Sequence, residues 1–161
     1  MKRSFRGKLK IAILCPFILA AVLFASCSSP PDFPNPPFEC NIQWSFNSID
    51  FTASLSAYDD STELCLISPA CLSGASLCIK GDIIRYTYQG ITLDTAPEYY
   101  LAIAQIFREA GKFKFLCSTE IDGQVALCYS RGNTEWYFSK ETKLPVLAKR
   151  ADISVKILKV K

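Results

Sequence analysis

Residues 77–93 read LCIKGDIIRYTYQGITL, and this stretch decides the fold. Apolar side chains recur at every second position, and the pairs Gly81-Asp82 and Gln89-Gly90 break the run into three short strands. A two-residue loop at Gly81-Asp82 sets Ile79 opposite Ile84 and Leu77 opposite Tyr86. A two-residue loop at Gln89-Gly90 sets Tyr88 opposite Ile91 and Tyr86 opposite Leu93. Both hairpins place apolar on apolar. A slip of one residue would turn every side chain to the other face, so the agreement predicts an antiparallel meander. The opposite face carries Ser76, Lys80, Arg85, Thr87 and Thr92.

The same rhythm extends in both directions. Upstream, Phe51, Ala53, Leu55 and Ala57 alternate with Thr52, Ser54 and Ser56, and the chain turns at Tyr58–Ser61. Leu64 and Leu66 return on the apolar face, before a loop around Pro69–Gly74. With Leu64 facing Ile79 and Leu66 facing Leu77, Cys65 stands opposite Cys78. Downstream, Gly132-Asn133 pairs Tyr129 with Trp136 and Leu127 with Phe138. The last strands run from about Val146 to Lys161, with Ile153, Val155 and Ile157 on one face.

The turn at Asp122-Gly123 admits two registers. A two-residue loop pairs Ile121 with Gln124 and Cys117 with Cys128, but sends Phe113 and Phe115 to the face opposite Leu127 and Tyr129. A three-residue loop, Ile121-Asp122-Gly123, pairs Glu120 with Gln124 and puts Gly123 at a left-handed bulge position. Burying a Phe side chain is worth roughly 1.5–3 kcal/mol. The three-residue loop is therefore the expectation, with Cys117 in the core, Cys128 on the other face, and the two not bonded.

One helix interrupts the sheet near residues 96–110. Thr95-Ala96-Pro97-Glu98 has the form of a capping box, and Gly111 is a stop. Tyr100, Ile103, Ile106, Phe107 and Ala110 form an apolar stripe that should lie across the sheet. The expected fold is mainly β: a curved antiparallel half-barrel meander of about nine or ten strands with one packed helix.

Residues 1–10, MKRSFRGKLK, are basic, and residues 11–25, IAILCPFILAAVLFA, are apolar. With Ala25-Ser26-Cys27 behind them they read as a secretory signal. The apolar run is shorter than the ~20 residues of a spanning helix. Small residues before Cys resemble the lipobox of bacterial lipoproteins, with Phe24 where Leu or Val is usual. The resemblance implies acylation of Cys27, by palmitate or a similar chain, and anchoring at the extracytoplasmic face of a bacterial membrane. Residues 27–40 then form a lipidated, proline-rich tether, and SSPPDFPNPP (28–37) favours an extended spacer. Residues 41–161 form one β domain.

The signal also removes a misleading charge. Residues 1–26 hold five of the 18 Lys and Arg and none of the 15 acids, so the formal +3 of the chain becomes −2 without them. That excludes nucleic acid as an expected partner.

The chain has no His and eight Cys. Without His, a catalytic thiol lacks the usual activating base. The cysteines have no C-x-x-C spacing, so no metal site is expected. The acidic pairs fall at turns, and there is no phosphate loop or nucleophile elbow. No catalytic residue and no cofactor are expected. Cys in strands acts as a small apolar residue.

Residues 64–93, LCLISPACLSGASLCIKGDIIRYTYQGITL, and residues 138–146, FSKETKLPV, resemble the strand–loop–hairpin and "D..TGLPL" turn patterns of the Lol-type lipoprotein-carrier superfamily. Lys143 stands where Gly is usual. The resemblance implies an unclosed half-barrel holding acyl chains. Tyr86, Tyr88, Phe113, Phe115, Trp136 and Phe138 are the candidate lining for an apolar ligand or lipidated partner, although such aromatics more often simply form the core. The alternative function is a structural or protein-interaction module with a filled core and no ligand. A pocket between helix and sheet separates the two.

Overall fold

The computed structural model describes residues 31, 33, 34 and 36–160. The signal segment and Cys27 lie outside the described residues. Eleven strands form one open, curved antiparallel sheet: β1 (Phe38–Phe46), β2 (Ile49–Ala57), β3 (Ser61–Ser68), β4 (Ser76–Lys80), β5 (Ile83–Tyr88), β6 (Ile91–Leu93), β7 (Lys114–Ile121), β8 (Gln124–Arg131), β9 (Thr134–Ser139), β10 (Pro145–Arg150) and β11 (Ile153–Val160). A 3-10 turn spans Ala70–Leu72, and the helix α1 spans Glu98–Arg108.

The spatial order is β6-β5-β4-β3-β2-β1-β11-β10-β9-β8-β7. The sheet is thus two meanders joined where the first strand pairs with the last. The helix leaves one edge, β6, and the chain re-enters at the other, β7. Tyr100, Ile103, Ala104, Ile106 and Phe107 are its buried face, packed on Trp44, Phe51, Leu64, Leu77, Trp136 and Phe138 in one hydrophobic core.

The expected hairpin pairs at Gly81-Asp82, Gln89-Gly90 and Gly132-Asn133 are all present. The strand count is eleven rather than nine or ten. The additional strand is β1, which starts at Phe38, inside the segment assigned to the tether. It pairs with β2 through all nine residues of each strand. Its turn, Asn47-Ser48, has positive φ at two non-glycine residues (50° and 63°), so the usual glycine signal of such a turn is missing.

Two registers differ from expectation. Leu64 faces Leu77 and Cys78 faces Glu63, so Cys65 and Cys78 are not opposed. The ladder reaches further into the loop, with Leu66 N–H donating to the Ala75 carbonyl (2.8 Å). A shift by two residues leaves every face unchanged, so alternation cannot detect it.

At Asp122-Gly123 the two-residue loop forms, with φ of 50° and 78°. Ile121 faces Gln124, Glu120 faces Val125, and Cys117 faces Cys128. Cys117 is exposed on the outer face and does not enter the core. The extra residue is instead Leu116, a bulge between Phe115 and Cys117 that restores Phe115 to its place opposite Tyr129. The tight Asp-Gly turn and the aromatic face are both kept. The irregularity sits at an exposed position, where it costs least.

The capping box does not form. Pro97 is the N-cap residue and no side chain caps the helix; Pro disfavours helical geometry at Ala96, so the helix starts after it. The helix ends before Ala110, which is exposed. Glu109 is drawn out of it, accepting from the Asn133 N–H at 2.7 Å and from the Thr134 hydroxyl. A Cβ on Gly132 (φ +57°) would overlap that carboxylate, so a side chain there would have to displace Glu109 from Asn133 and Thr134.

Candidate functional site

At one end of the concave face the sheet and helix diverge into an open cleft of about 1300 Å³. Its walls include the end of α1 (Phe107, Arg108), the β2–β3 turn (Tyr58, Asp59, Asp60), the β4–β5 turn with the first residue of β5 (Gly81, Asp82, Ile83), and Phe113 with Arg131 beside the β7 edge. The segment ahead of β1 supplies Phe33, and the start of β1 supplies Phe38.

The rim is cross-linked. Lys80 Nζ lies 2.9 Å from Asp60 Oδ2 and ties the two turns together. That ammonium holds the Asp60 carboxyl below its ordinary range by hydrogen bond and charge. Both Arg108 terminal nitrogens donate to the Gly81 carbonyl at 3.3 Å, tying the helix to the same turn.

The interior is aromatic. The half-buried Phe33 ring lies edge-on to Trp136 at 4.8 Å, 5.5 Å from Phe38 and 5.6 Å from Phe113. The Arg131 guanidinium lies over both Phe33 (5.3 Å) and Phe113 (5.2 Å), within cation–π range. Its Nε is buried and has no hydrogen-bond partner among the described residues. Burial pushes the Arg131 pKa down, and Glu109 opposes this.

Solved structures similar to this chain include a LolA superfamily protein. That protein, from Nitrosomonas europaea, is 12% identical over 81% of this chain and 88% of its own, with a TM-score of 0.43. An uncharacterized conserved protein from Thermus thermophilus is 13% identical over 77% of each chain (TM-score 0.49). The lipoprotein LppX of Mycobacterium tuberculosis is 9% identical over 74% of this chain and 82% of its own (TM-score 0.36). No family model and no curated protein matches the chain.

The six residues read from the sequence as candidate lining do not meet in one place. Phe113 lines the cleft. Trp136 and Phe138 are 0% and 1% exposed and form the floor beneath Phe33 and Phe113. Tyr86 stacks on Tyr100 at 5.9 Å, within the other end of the core. The Tyr88 hydroxyl donates to the Cys71 carbonyl. Phe115 is half exposed and flanks Tyr129 at 5.4 Å.

Phe33, Phe38, Ile83, Phe107, Arg108 and Arg131 line the cleft, and sequence reasoning does not single them out as lining. Phe33 leaves a faint signal, being the one aromatic residue in SSPPDFPNPP. Arg131 leaves none, because a basic residue next to a Gly-Asn turn reads as a solvated surface.

The cleft offers aromatic contact and a desolvated cation. Lys143 has φ +62°, in the left-handed region that Gly adopts most readily. No helix among the described residues is long and apolar enough to cross a membrane.

Proposed function

We propose that the cleft binds the apolar part of a lipid or lipidated chain, and that the protein is a membrane-anchored extracytoplasmic lipoprotein with a non-catalytic role. One observation carries the binding reading: the cleft is large, open and walled by Phe33, Phe38, Ile83, Phe107 and Phe113. Cavities of about 300–1,000 Å³ hold drug-sized ligands, so the space suffices for an acyl chain. The basic start, the apolar run and Ala25-Ser26-Cys27 support anchoring through Cys27 and removal of residues 1–26. The segment from residue 27 up to β1 then spaces the domain from the bilayer.

Titration of the purified full-length protein with a dansyl-labelled fatty acid tests the binding. Saturable binding is expected, and Phe113→Ser should weaken it about tenfold, the equivalent of 1.4 kcal/mol. Binding without saturation, or saturable binding unchanged by Phe113→Ser and by Ile83→Ser, overturns the reading. Metabolic labelling with palmitate tests the anchor: the wild type should incorporate label and Cys27→Ala should not.

The filled core favours a second reading. Buried Trp44, Phe51 and Leu55 of the sheet pack with Tyr100 and Ile103 of α1 in one core. A protein-interaction module needs only such a core and an outer surface. This reading gains if the fatty acid does not bind.

A further inference from the structure

On the outer face of the sheet, Cys117 of β7 stands directly opposite Cys128 of β8. Directly opposed Cα atoms in an antiparallel pair lie ~4.5–5.5 Å apart, inside the range a disulfide spans. Both thiols are free in the structure. No other described strand cysteine has this arrangement. Cys40 faces Leu55 and Val160, Cys65 faces Ser54 and Ser76, and Cys78 faces Glu63 and Arg85.

The location gives the pair a mechanical consequence. β7 is an edge strand, joined to the sheet only through β8. Its residues from Lys114 to Glu120 are all exposed, and the Leu116 bulge interrupts its ladder. Edges of this kind open at low free energy. The strand also follows directly on Phe113, which walls the cleft.

We propose that Cys117 and Cys128 form a thiol–disulfide switch that clamps the edge strand β7 to β8. The oxidant is a small-molecule disulfide or a disulfide oxidoreductase. The exposed Cys117 thiolate attacks one sulfur of that disulfide, whose S–S bond breaks, and one thiolate leaves and takes up a proton. Cys128 then gives up its proton and attacks the Cys117 sulfur, expelling the second thiol. Two protein thiols lose two electrons in total, and one external disulfide is reduced to two thiols.

Exposure divides the roles. Cys117 is open to solvent, whereas Cys128 is 2% exposed. Burial pushes the Cys128 thiol up to about 11, while the Tyr137 hydroxyl beside it acts in the opposite direction. A thiol held largely protonated is a slow nucleophile, so the second step limits the rate and the mixed disulfide on Cys117 accumulates transiently.

The test is titration of the reduced full-length protein with oxidised glutathione, followed by alkylation, peptide mapping and hydrogen exchange. The expected result is a Cys117–Cys128 linked peptide, formed through a transient glutathione adduct on Cys117. Amides of residues 114–120 should then exchange about tenfold more slowly or better. Cys128→Ser should hold the adduct on Cys117. Cys117→Ser, an exposed substitution that leaves the core intact, should leave Cys128 unmodified in the folded protein. A lasting adduct on wild-type Cys117 with Cys128 still free, or linkage of either residue to another cysteine, overturns the proposal. The test does not depend on whether the cleft binds lipid.

Discussion

The two ends of the concave face are filled by different means. Around Tyr100 the packing comes almost wholly from regular elements. Trp44 and Phe51, paired across β1 and β2, stack at 5.4 Å and 9°, and Tyr86 of β5 stacks on Tyr100 of α1. About 10 Å further along the helix, by its 1.5 Å rise per residue, Phe107 meets Trp136 edge-on at 5.4 Å. Above that floor the regular elements stop. The covering side chains, Phe33 and Phe113, come from segments outside strand and helix, and between them and the turns the cleft opens. A periodic element delivers a side chain every second or every third to fourth residue, so it can tile a face. A connecting segment places one ring where the chain happens to pass. The Tyr100 end is therefore mostly core, with a cavity of only about 360 Å³ beside Trp44, Tyr99 and Ile103, and the larger cleft opens at the other end.

The sharpest test of that contrast is at the boundary. Phe107 is 6% exposed, and Phe107→Ala should cost about 3–5 kcal/mol of unfolding free energy, measured by urea denaturation. A loss below about 1 kcal/mol would place Phe107 with the loose end of the face.

The buried face of the sheet also makes a prediction in pH. Burial pushes the Cys40 thiol up to about 12 from an ordinary 9.0. The folded state keeps this proton where the unfolded chain releases it. The contribution is therefore fully present below pH 9 and is lost as pH rises from there toward 12. Chemical denaturation at pH 8 and pH 11 should show a loss of up to a few kcal/mol, with part of it absent in Cys40→Ala.

The smallest effect belongs to the open end. Phe33→Ala should cost no more than about 1 kcal/mol in thermal unfolding, because its half-buried ring leaves no sealed cavity. On the binding reading, the same variant should take up the dansyl-labelled fatty acid faster. Destabilisation comparable to Phe107→Ala would show Phe33 to be core, and the two ends would then be alike.

Much of the sheet is legible because apolar alternation and Gly-containing turns carry the same information twice. At Gly81-Asp82, Gln89-Gly90 and Gly132-Asn133 the two agree and the pairing follows. Where a turn lacks glycine, as at Asn47-Ser48, the first strand escapes sequence reading. Alternation settles which face a residue occupies, but not a shift by two, and so it misplaces Cys78 against Cys65. It fixes Phe115 opposite Tyr129, yet cannot locate the one-residue adjustment that achieves this, which lies at Leu116 rather than in the turn.

The sequence by itself determined the class of fold, the strand faces, the helix and its buried stripe, because these rest on local periodicity and turn chemistry. The pairing of β1 with β11 was decided only by the tertiary structure, since nothing local links the first strand to the last. The cleft was decided in the same way. Its walls come from residues 31 to 131, and only the curvature of the open sheet brings Phe33, Ile83, Phe107 and Arg131 to one place. The opposition of Cys117 and Cys128 arose likewise, from a competition between a tight turn and a buried aromatic face that a bulge resolved in favour of both.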